Sequence, residues 1–193
     1  MLVKIHASRP IGGTITAPPS KSMAHRAVLC AALAKGSSHI TNLEFSKDIS
    51  ATLAAAGQLC AKVDIGADDA VVEGLGHFLS LTAPVDCCES GSTLRFLIPL
   101  ASLTGQPVTF TGRGRLMERP QSVYETLFRQ QGLGFQSSPA GLRVEGRCLP
   151  GITPLRGMFP ASSSAGCCLP CPCFPATAGS IWCRRWRAAA TST

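Results

Sequence analysis

Acidic residues, aromatic residues and long apolar runs are all scarce in this 193-residue chain. Asp and Glu number 11 against 18 Lys and Arg, so the formal net charge is +7. That charge favours anionic partners. A nucleic-acid-binding surface, however, requires clustered basic residues with aromatic residues between them, and here the basic residues are scattered. We therefore expect no nucleic acid as a partner, and a general nucleic-acid binder is the weakest alternative.

The missing apolar runs bear on location. No run reaches the roughly 18–20 residues that a membrane-spanning helix needs, so we expect no membrane association. The first six residues, Met1–His6, lack the apolar segment of a signal peptide, which favours the cytoplasm.

The last 36 residues have no acidic residue and no lysine. They hold three of the arginines, five of the ten cysteines and both tryptophans. No helical or strand period runs through them, and the composition changes without a linker. We therefore expect 158–193 to be an aberrant, disordered tail following a partial domain at 1–157.

One segment combines helix-start signals with positive charge. Pro18-Pro19 ends any earlier element, Ser20 can cap a helix, and Lys21, Ser22 and Arg26 fall in the first two turns. Unpaired N–H groups and the positive end of the helix dipole would lie beside these two cations. A small molecule with a phosphate and a carboxylate fits such a place. The alternative is a capped surface helix with two solvated cations.

An internal repeat indicates the architecture. Arg26 and Arg95 lie 69 residues apart, and each is followed ten residues later by a glycine that ends an apolar helix. A β-prone run, a second helix and a hairpin follow in both copies. Their predicted positions are Ser38–Leu43, Asp48–Leu59 and 62–74 in the first copy, and Pro107–Gly112, Gln121–Gln131 and 135–146 in the second.

The second copy repeats the chemistry of the first helix start. Ser90 or Ser92 can cap the helix, Gly91 allows a ligand close to the backbone, and Arg95 lies in the second turn. Pro99 is expected to kink this helix. A third basic element, the loop at 111–120, precedes the last helix. If the repeats pack side by side, these three elements converge.

These motifs together resemble the 5-enolpyruvylshikimate-3-phosphate (EPSP) synthase family. The matching residues are Pro19-Ser20-Lys21-Ser22 with Arg26, then Asp48, Ser90-Gly91-Ser92-Thr93 with Arg95, and Arg115 with Glu118-Arg119-Pro120. The resemblance, from about Leu2 to Gly157, implies an α/β (α+β) fold of repeated βαβαββ units. Two of the three units of one domain would be present, at about 17–84 and 85–150. The stretch Val3–Ile15 would be a strand of the other domain.

The resemblance also implies a reaction, in which the shikimate 3-phosphate hydroxyl adds to phosphoenolpyruvate and phosphate is released, with no metal or cofactor. Lys21 would be catalytic and would contact both substrates. Ser22 and Arg26 would bind shikimate 3-phosphate, and Gly91 and Arg119 would bind phosphoenolpyruvate. Supporting roles fall to Asp48, Thr93 and Arg95. The family suggests a cytoplasmic monomer.

The departures from the family lead to further expectations. Family members are more than twice this length and take their acid–base carboxylates from a second domain. We therefore expect the 193 residues by themselves to turn over no substrate. The alternatives are a non-catalytic fragment that binds only phosphoshikimate, and a relative of the UDP-N-acetylglucosamine enolpyruvyl transferases. The latter have Lys-Asn where this chain has Lys21-Ser22.

Two interpretations of the tail are possible. A third repeat would begin its helix near residue 164, and reading the tail across codon boundaries permits the family's Ser-Ser-Gln-Phe motif and an apolar helix there. This favours a shifted reading frame. Alternatively, Cys168 and Cys171, with Cys167 and Cys173, would bind zinc or an iron–sulfur cluster, although Cys183 alone offers no second pair.

Overall fold

Four helices and seven strands make up residues 12–147, the part of the chain that the computed structural model describes. The helices are α1 (Lys21–Leu33), α2 (Lys47–Leu59), α3 (Gly91–Thr104) and α4 (Ser122–Gln130). The strands are β1 (Gly36–Ile40), β2 (Ala61–Ile65), β3 (Ala70–Gly74), β4 (Val85–Asp86), β5 (Val108–Thr111), β6 (Gly134–Ser138) and β7 (Gly141–Glu145). This mixed fold confirms the predicted fold class.

The first copy of the repeat carries a three-stranded antiparallel sheet in the order β1-β3-β2. Its first strand starts and ends earlier than the predicted Ser38–Leu43. Gly36 adopts φ +104°, which turns the chain directly from α1 into β1, and Asn42 at φ +57° is incompatible with a continued strand. The predicted strand was therefore placed two to three residues too far toward the chain end.

The second copy has the element order βαβαββ, from β4 to β7. Its sheet has the order β4-β5-β7-β6, in which β4 and β5 are parallel and the remaining pairs are antiparallel. No strand precedes α1 within residues 12–20, and the strand over Val3–Ile15, which the family resemblance assigns to the other domain, stays a prediction. Residues 3–11 of that prediction, the end of the second unit and the tail at 158–193 lie outside the described residues.

Helices α1, α2 and α3 pack around an apolar core that is rich in alanine. Small side chains on α1 and α2 let the helices approach closely, and the core is filled by larger residues. Among these fully buried residues are Leu29, Ile49, Leu53, Leu97 and Ile98.

Pro99 lies inside α3, yet the helix continues from Gly91 to Thr104. Proline has no N–H group, so the carbonyl of Arg95, four residues earlier, loses its usual helical donor. The hydroxyl of Tyr124 on α4 donates to that carbonyl at 2.8 Å instead. Tyr124 on α4 therefore supplies the Arg95 carbonyl with a hydrogen bond in place of the one that Pro99 cannot donate.

Within residues 12–147, no helix has the length and apolar character needed to cross a membrane.

Candidate anion-binding site

The N-terminal turns of α1, α2 and α3 meet at one end of the three-helix layer. Helix α1 starts directly after Ser20, whose backbone is extended. The Ser20 carbonyl accepts hydrogen bonds from the N–H groups of Met23 and Ala24, both at 3.0 Å, but its side chain makes no cap bond. Ser20 therefore occupies the expected cap position without the expected side-chain bond. The first turn of α1 contains no acidic residue.

Lys21 reaches from α1 to the first turn of α2, where its Nζ lies 2.5 Å from Oδ2 of Asp48. A lysine is poorly placed at a helix N-terminus, because the helix dipole repels it, whereas Asp48 is well placed at the start of α2. The ion pair offsets that repulsion and directs the ammonium group. The Lys21 side chain is half exposed, so it stays accessible to a ligand.

Arg26 lies one turn further along α1. Its Nη1 donates to the carbonyl of Ser22 at 2.8 Å, and its guanidinium carbon lies 5.3 Å from the centre of the Phe96 ring on α3. The cation–π contact and the hydrogen bond hold the guanidinium plane in one orientation. Such a group is suited to pairing with a carboxylate through two parallel hydrogen bonds.

Helix α3 begins with a side-chain cap. The Oγ of Ser90 accepts the N–H of Thr93 at 3.1 Å, so Ser90 is the cap of the two serines, Ser90 and Ser92, that the sequence offered. Gly91 is the first residue of α3, and its first turn also lacks an acidic residue. The α3 N-terminus therefore presents backbone N–H groups with no carboxylate in its own first turn to occupy them.

Arg119 lies directly over Gly91. A Cβ added to Gly91 would come within 2.9 Å of Nη1 of Arg119 and 4.0 Å of Cδ1 of Leu116. The basic loop at 111–120, which carries Arg119, is held in place by a 2.6 Å hydrogen bond from the N–H of Arg113 to the carbonyl of Cys88 and by the burial of Leu116. Glycine at this position therefore gives a guanidinium group and a helix N-terminus access to the same small anion.

The other arginines of this loop make outward-facing ion pairs. Arg113 pairs with Asp86 at 3.0 Å, and Arg115 pairs with Glu118 at 3.3 Å. The hydrogen bond to Asp86 raises the pKa of Arg113.

Polar contacts join the start of α1 to that of α3 through α2. Lys21 pairs with the carboxylate of Asp48, and the carbonyl of the same Asp48 lies 3.3 Å from the hydroxyl of Thr93, two residues after Gly91. The structure therefore brings Lys21, Ser22, Arg26, Asp48, Thr93, Gly91 and Arg119 to one end of the fold. Thr93 is fully buried, whereas Arg95 contributes its carbonyl to the contact with Tyr124.

Sequence reasoning missed two buried residues of this region, His25 and Thr52. Nδ1 of His25 lies 2.7 Å from the hydroxyl of Thr52, and the two side chains are 2 % and 0 % exposed. The pKa of His25 is lowered to about 4, mainly by burial; Asp48 acts in the opposite direction, and the positive charges of Lys21 and Arg26 add to the lowering. His25 is therefore neutral at pH 7. The sequence offered one indication of a role for His25, its position next to Arg26, and none for Thr52.

Among the described residues no cluster of three or more His, Cys, Asp or Glu could hold a metal ion. The buried thiols of Cys60 and Cys87 are poor nucleophiles, since burial raises the pKa of Cys60 to about 11 and that of Cys87 to about 12. The proposed cysteine metal site lies outside the described residues.

The sequence resembles characterised proteins over most of its length. The family model for EPSP synthase (3-phosphoshikimate 1-carboxyvinyltransferase) matches residues 5–147. The 3-phosphoshikimate 1-carboxyvinyltransferase of Clostridium kluyveri is 42% identical over 147 residues, covering 75% of this chain and 34% of that protein. The enzyme of the same name from Clostridium beijerinckii is 40% identical over 164 residues, covering 80% and 38%.

The fold agrees with these relatives. The 2.37 Å structure of EPSP synthase from Acinetobacter baumannii superposes with a TM-score of 0.71 at 25% identity, covering 80% of this chain and 36% of that one. The chain thus spans about a third of the length of the curated relatives that it matches. The family match, the sequence identity and the shared fold lead to one conclusion: this chain belongs to the EPSP synthase (3-phosphoshikimate 1-carboxyvinyltransferase) family.

Proposed function

We propose that this chain supplies anion-binding residues for carboxyvinyl transfer from phosphoenolpyruvate to shikimate 3-phosphate, with release of phosphate. The convergence of two helix N-termini with Lys21, Arg26 and Arg119 is the observation that carries this proposal. Each substrate bears a phosphate and a carboxylate, so both need the concentrated positive charge of this end of the fold. The names of the curated relatives support the choice of substrates.

In the proposed arrangement Ser22 and Arg26 bind shikimate 3-phosphate, with Arg26 paired to its carboxylate. Gly91 and Arg119 bind phosphoenolpyruvate through a backbone N–H and a guanidinium group. Lys21 lies between the two groups of residues, and its half-exposed ammonium can contact both substrates once it leaves Asp48. Phe96, stacked under Arg26, keeps that guanidinium in place before the ligand arrives.

These residues act by positioning and by stabilising charge. In the reaction the shikimate hydroxyl oxygen bonds to the enol carbon, the hydroxyl loses its proton and the methylene carbon gains one. The tetrahedral intermediate then expels phosphate and loses a proton from the methyl carbon, which restores the carbon–carbon double bond and forms the enol ether product. Cationic groups held beside both anions bring them together against their mutual repulsion and stabilise the phosphate as it leaves. Their preorganisation by Asp48 and Phe96 lowers the cost of ordering them on binding.

Calorimetric titration of the 193-residue chain with shikimate 3-phosphate tests this proposal. We expect saturable binding that Lys21→Ala weakens at least tenfold, because a charged hydrogen bond is worth about 1.5–3 kcal/mol. Lys62→Ala is the matched control, since Lys62 is an exposed lysine on β2 that pairs with Glu73 at 3.5 Å. Equal effects of the two substitutions, or no binding by the unmodified chain, would contradict the proposal.

Turnover is tested separately by phosphate release in the presence of both substrates. We expect the 193 residues alone to release none, and phosphate release that Lys21→Ala abolishes would refute this expectation. A cytoplasmic monomer is the matching proposal for location and assembly, and sedimentation at several concentrations tests the latter.

A further inference from the structure

Four buried polar side chains form one continuous series across the three helices. His25 Nδ1 lies 2.7 Å from the Thr52 hydroxyl, and the Thr52 hydroxyl lies 2.7 Å from the Thr93 hydroxyl. The Thr93 hydroxyl in turn donates to Ser90 Oγ at 2.6 Å. All four residues are at most 2 % exposed. We call this series the His25–Ser90 chain.

Burying these groups is costly unless each finds a partner, and an apolar set of the same volume would pack without that requirement. Within the described residues no buried side-chain nitrogen or oxygen lacks a hydrogen bond. A hydroxyl has a single proton to donate, so each threonine fixes the direction of its neighbour's bond. The helices can therefore satisfy the whole series in only a narrow range of relative positions.

The His25–Ser90 chain also meets the proposed substrate site at two points. The hydroxyls of Thr52 and Thr93 lie 3.1 and 3.3 Å from the carbonyl of Asp48, whose carboxylate pairs with Lys21. At the other end, Ser90 caps the helix whose first residue is Gly91. The His25–Ser90 chain therefore connects Asp48, which directs Lys21, to Gly91 at the N-terminus of α3.

We propose that His25 and Thr52 are positioning residues that hold the first turns of α2 and α3 in register, so that Lys21 and Gly91 face the same pair of anions. This inference rests on the proposed function. It assigns to the two residues an effect on ligand affinity beyond their effect on folding. Neither side chain touches the ligand, because both are buried.

The neutral state of His25 suits this role. Asp48 on α2 and Lys21 and Arg26 on α1 are the charged groups that act on it, and the aromatic ring of Phe96 on α3 lies 6.5 Å away. A charged imidazole here would add a third cation beside Lys21 and Arg26, without a buried carboxylate to pair with it. A neutral ring supplies the hydrogen bond to Thr52 without that repulsion.

The test compares Thr52→Val, which keeps the shape and removes the hydroxyl, with Thr52→Ser, which keeps the hydroxyl. Ser102→Ala is the matched control. Ser102 is as deeply buried and donates to the Pro99 carbonyl at 2.7 Å, but at 1.5 Å per residue it lies roughly 14 Å beyond Thr93 along α3. The affinity of the 193-residue chain for shikimate 3-phosphate is measured for each variant, alongside its unfolding in urea.

We expect Thr52→Val to raise the dissociation constant about tenfold, and Thr52→Ser and Ser102→Ala to leave it within twofold. Equal affinity of all three variants, or an equal loss in Ser102→Ala, would overturn the proposal. If Thr52→Val does not fold, the pair Thr93→Val and Thr93→Ser gives the same comparison.

A failure of the proposed function has a different signature. If the unmodified chain binds no shikimate 3-phosphate, the backbone amide resonances of Lys21 and Gly91 still report on positioning. Thr52→Val is expected to shift both, and Ser102→Ala neither. Unshifted resonances in Thr52→Val would overturn the role of Thr52 whatever the ligand is.

Discussion

Acidification is expected to destabilise this fold through His25. The pKa of the buried imidazole is lowered from 6.5 to about 4, so the unfolded chain binds a proton at a pH where the folded chain does not. The contribution of His25 to the free energy of unfolding is therefore fully present above pH 6.5 and is lost as the pH falls toward 4. At about 1.4 kcal/mol per pKa unit, the difference between 6.5 and about 4 corresponds to a loss of about 3 kcal/mol from this one group by pH 4.

Urea unfolding followed by circular dichroism at pH 7.0, 6.0, 5.0 and 4.0 measures this loss. Because carboxylates also gain protons in this range, the contribution of His25 is the difference between the unmodified chain and His25→Asn, which keeps a hydrogen-bonding group but does not titrate. His39→Asn is the control, since His39 is exposed and pairs with Asp69 at 2.6 Å.

We expect His25→Asn to be less stable than the unmodified chain at pH 7, and this difference in stability to shrink or reverse by about 3 kcal/mol at pH 4. The deficit of His39→Asn is not expected to follow this course. Parallel pH profiles for the unmodified chain and His25→Asn would refute the argument, because they would show that His25 does not titrate with a lowered pKa.

Three further substitutions test separate parts of the structure. In Gly91→Ala the new methyl would lie 2.9 Å from the flexible end of Arg119, so we expect an unchanged unfolding free energy but about tenfold weaker phosphoenolpyruvate binding by calorimetry. Gly57→Ala is the control with room for the methyl, and identical phosphoenolpyruvate binding in the two would contradict this account. In Gly74→Ala the methyl would overlap a backbone carbonyl at the end of α1, so a loss of at least about 2 kcal/mol is expected in urea unfolding, and an unchanged midpoint would show that the sheet has room. Tyr124→Phe removes the 2.8 Å bond to the carbonyl that Pro99 leaves without its helical donor, at an expected cost of about 1–3 kcal/mol, and no loss would mean that water replaces the hydroxyl.

Much of the fold could be predicted because its signals are local. The apolar runs that follow Arg26 and Arg95 gave two helices, and the glycines after them gave the turns. The bounds of α2 and α4 fall within a residue of the predicted ones. The start of β1 was misplaced because a glycine with positive φ allows a strand to begin sooner than its β-branched residues suggest.

The residues of the candidate site were likewise only partly predictable from the sequence. Lys21, Gly91 and Arg119 could be identified as candidates because each lies in a short motif at a helix start or in a basic loop. Their proximity depends on how the helices pack, which no local pattern reports. His25 and Thr52 are 27 residues apart in sequence, and neither residue type at its position predicts that the two will share a hydrogen bond. Local sequence likewise does not report that a tyrosine of another helix replaces the helical hydrogen bond that Pro99 cannot donate.

The most direct test of the central claim is to follow the backbone amides of the 193-residue chain by NMR while shikimate 3-phosphate and then phosphoenolpyruvate are added. We predict saturable shifts at Lys21 and Ser22 with the first ligand, and at Gly91 and Arg119 with the second. Shifts confined to the β2–β3 hairpin, or no saturable shift at the starts of α1 and α3, would contradict a single site for two acids at this end of the fold.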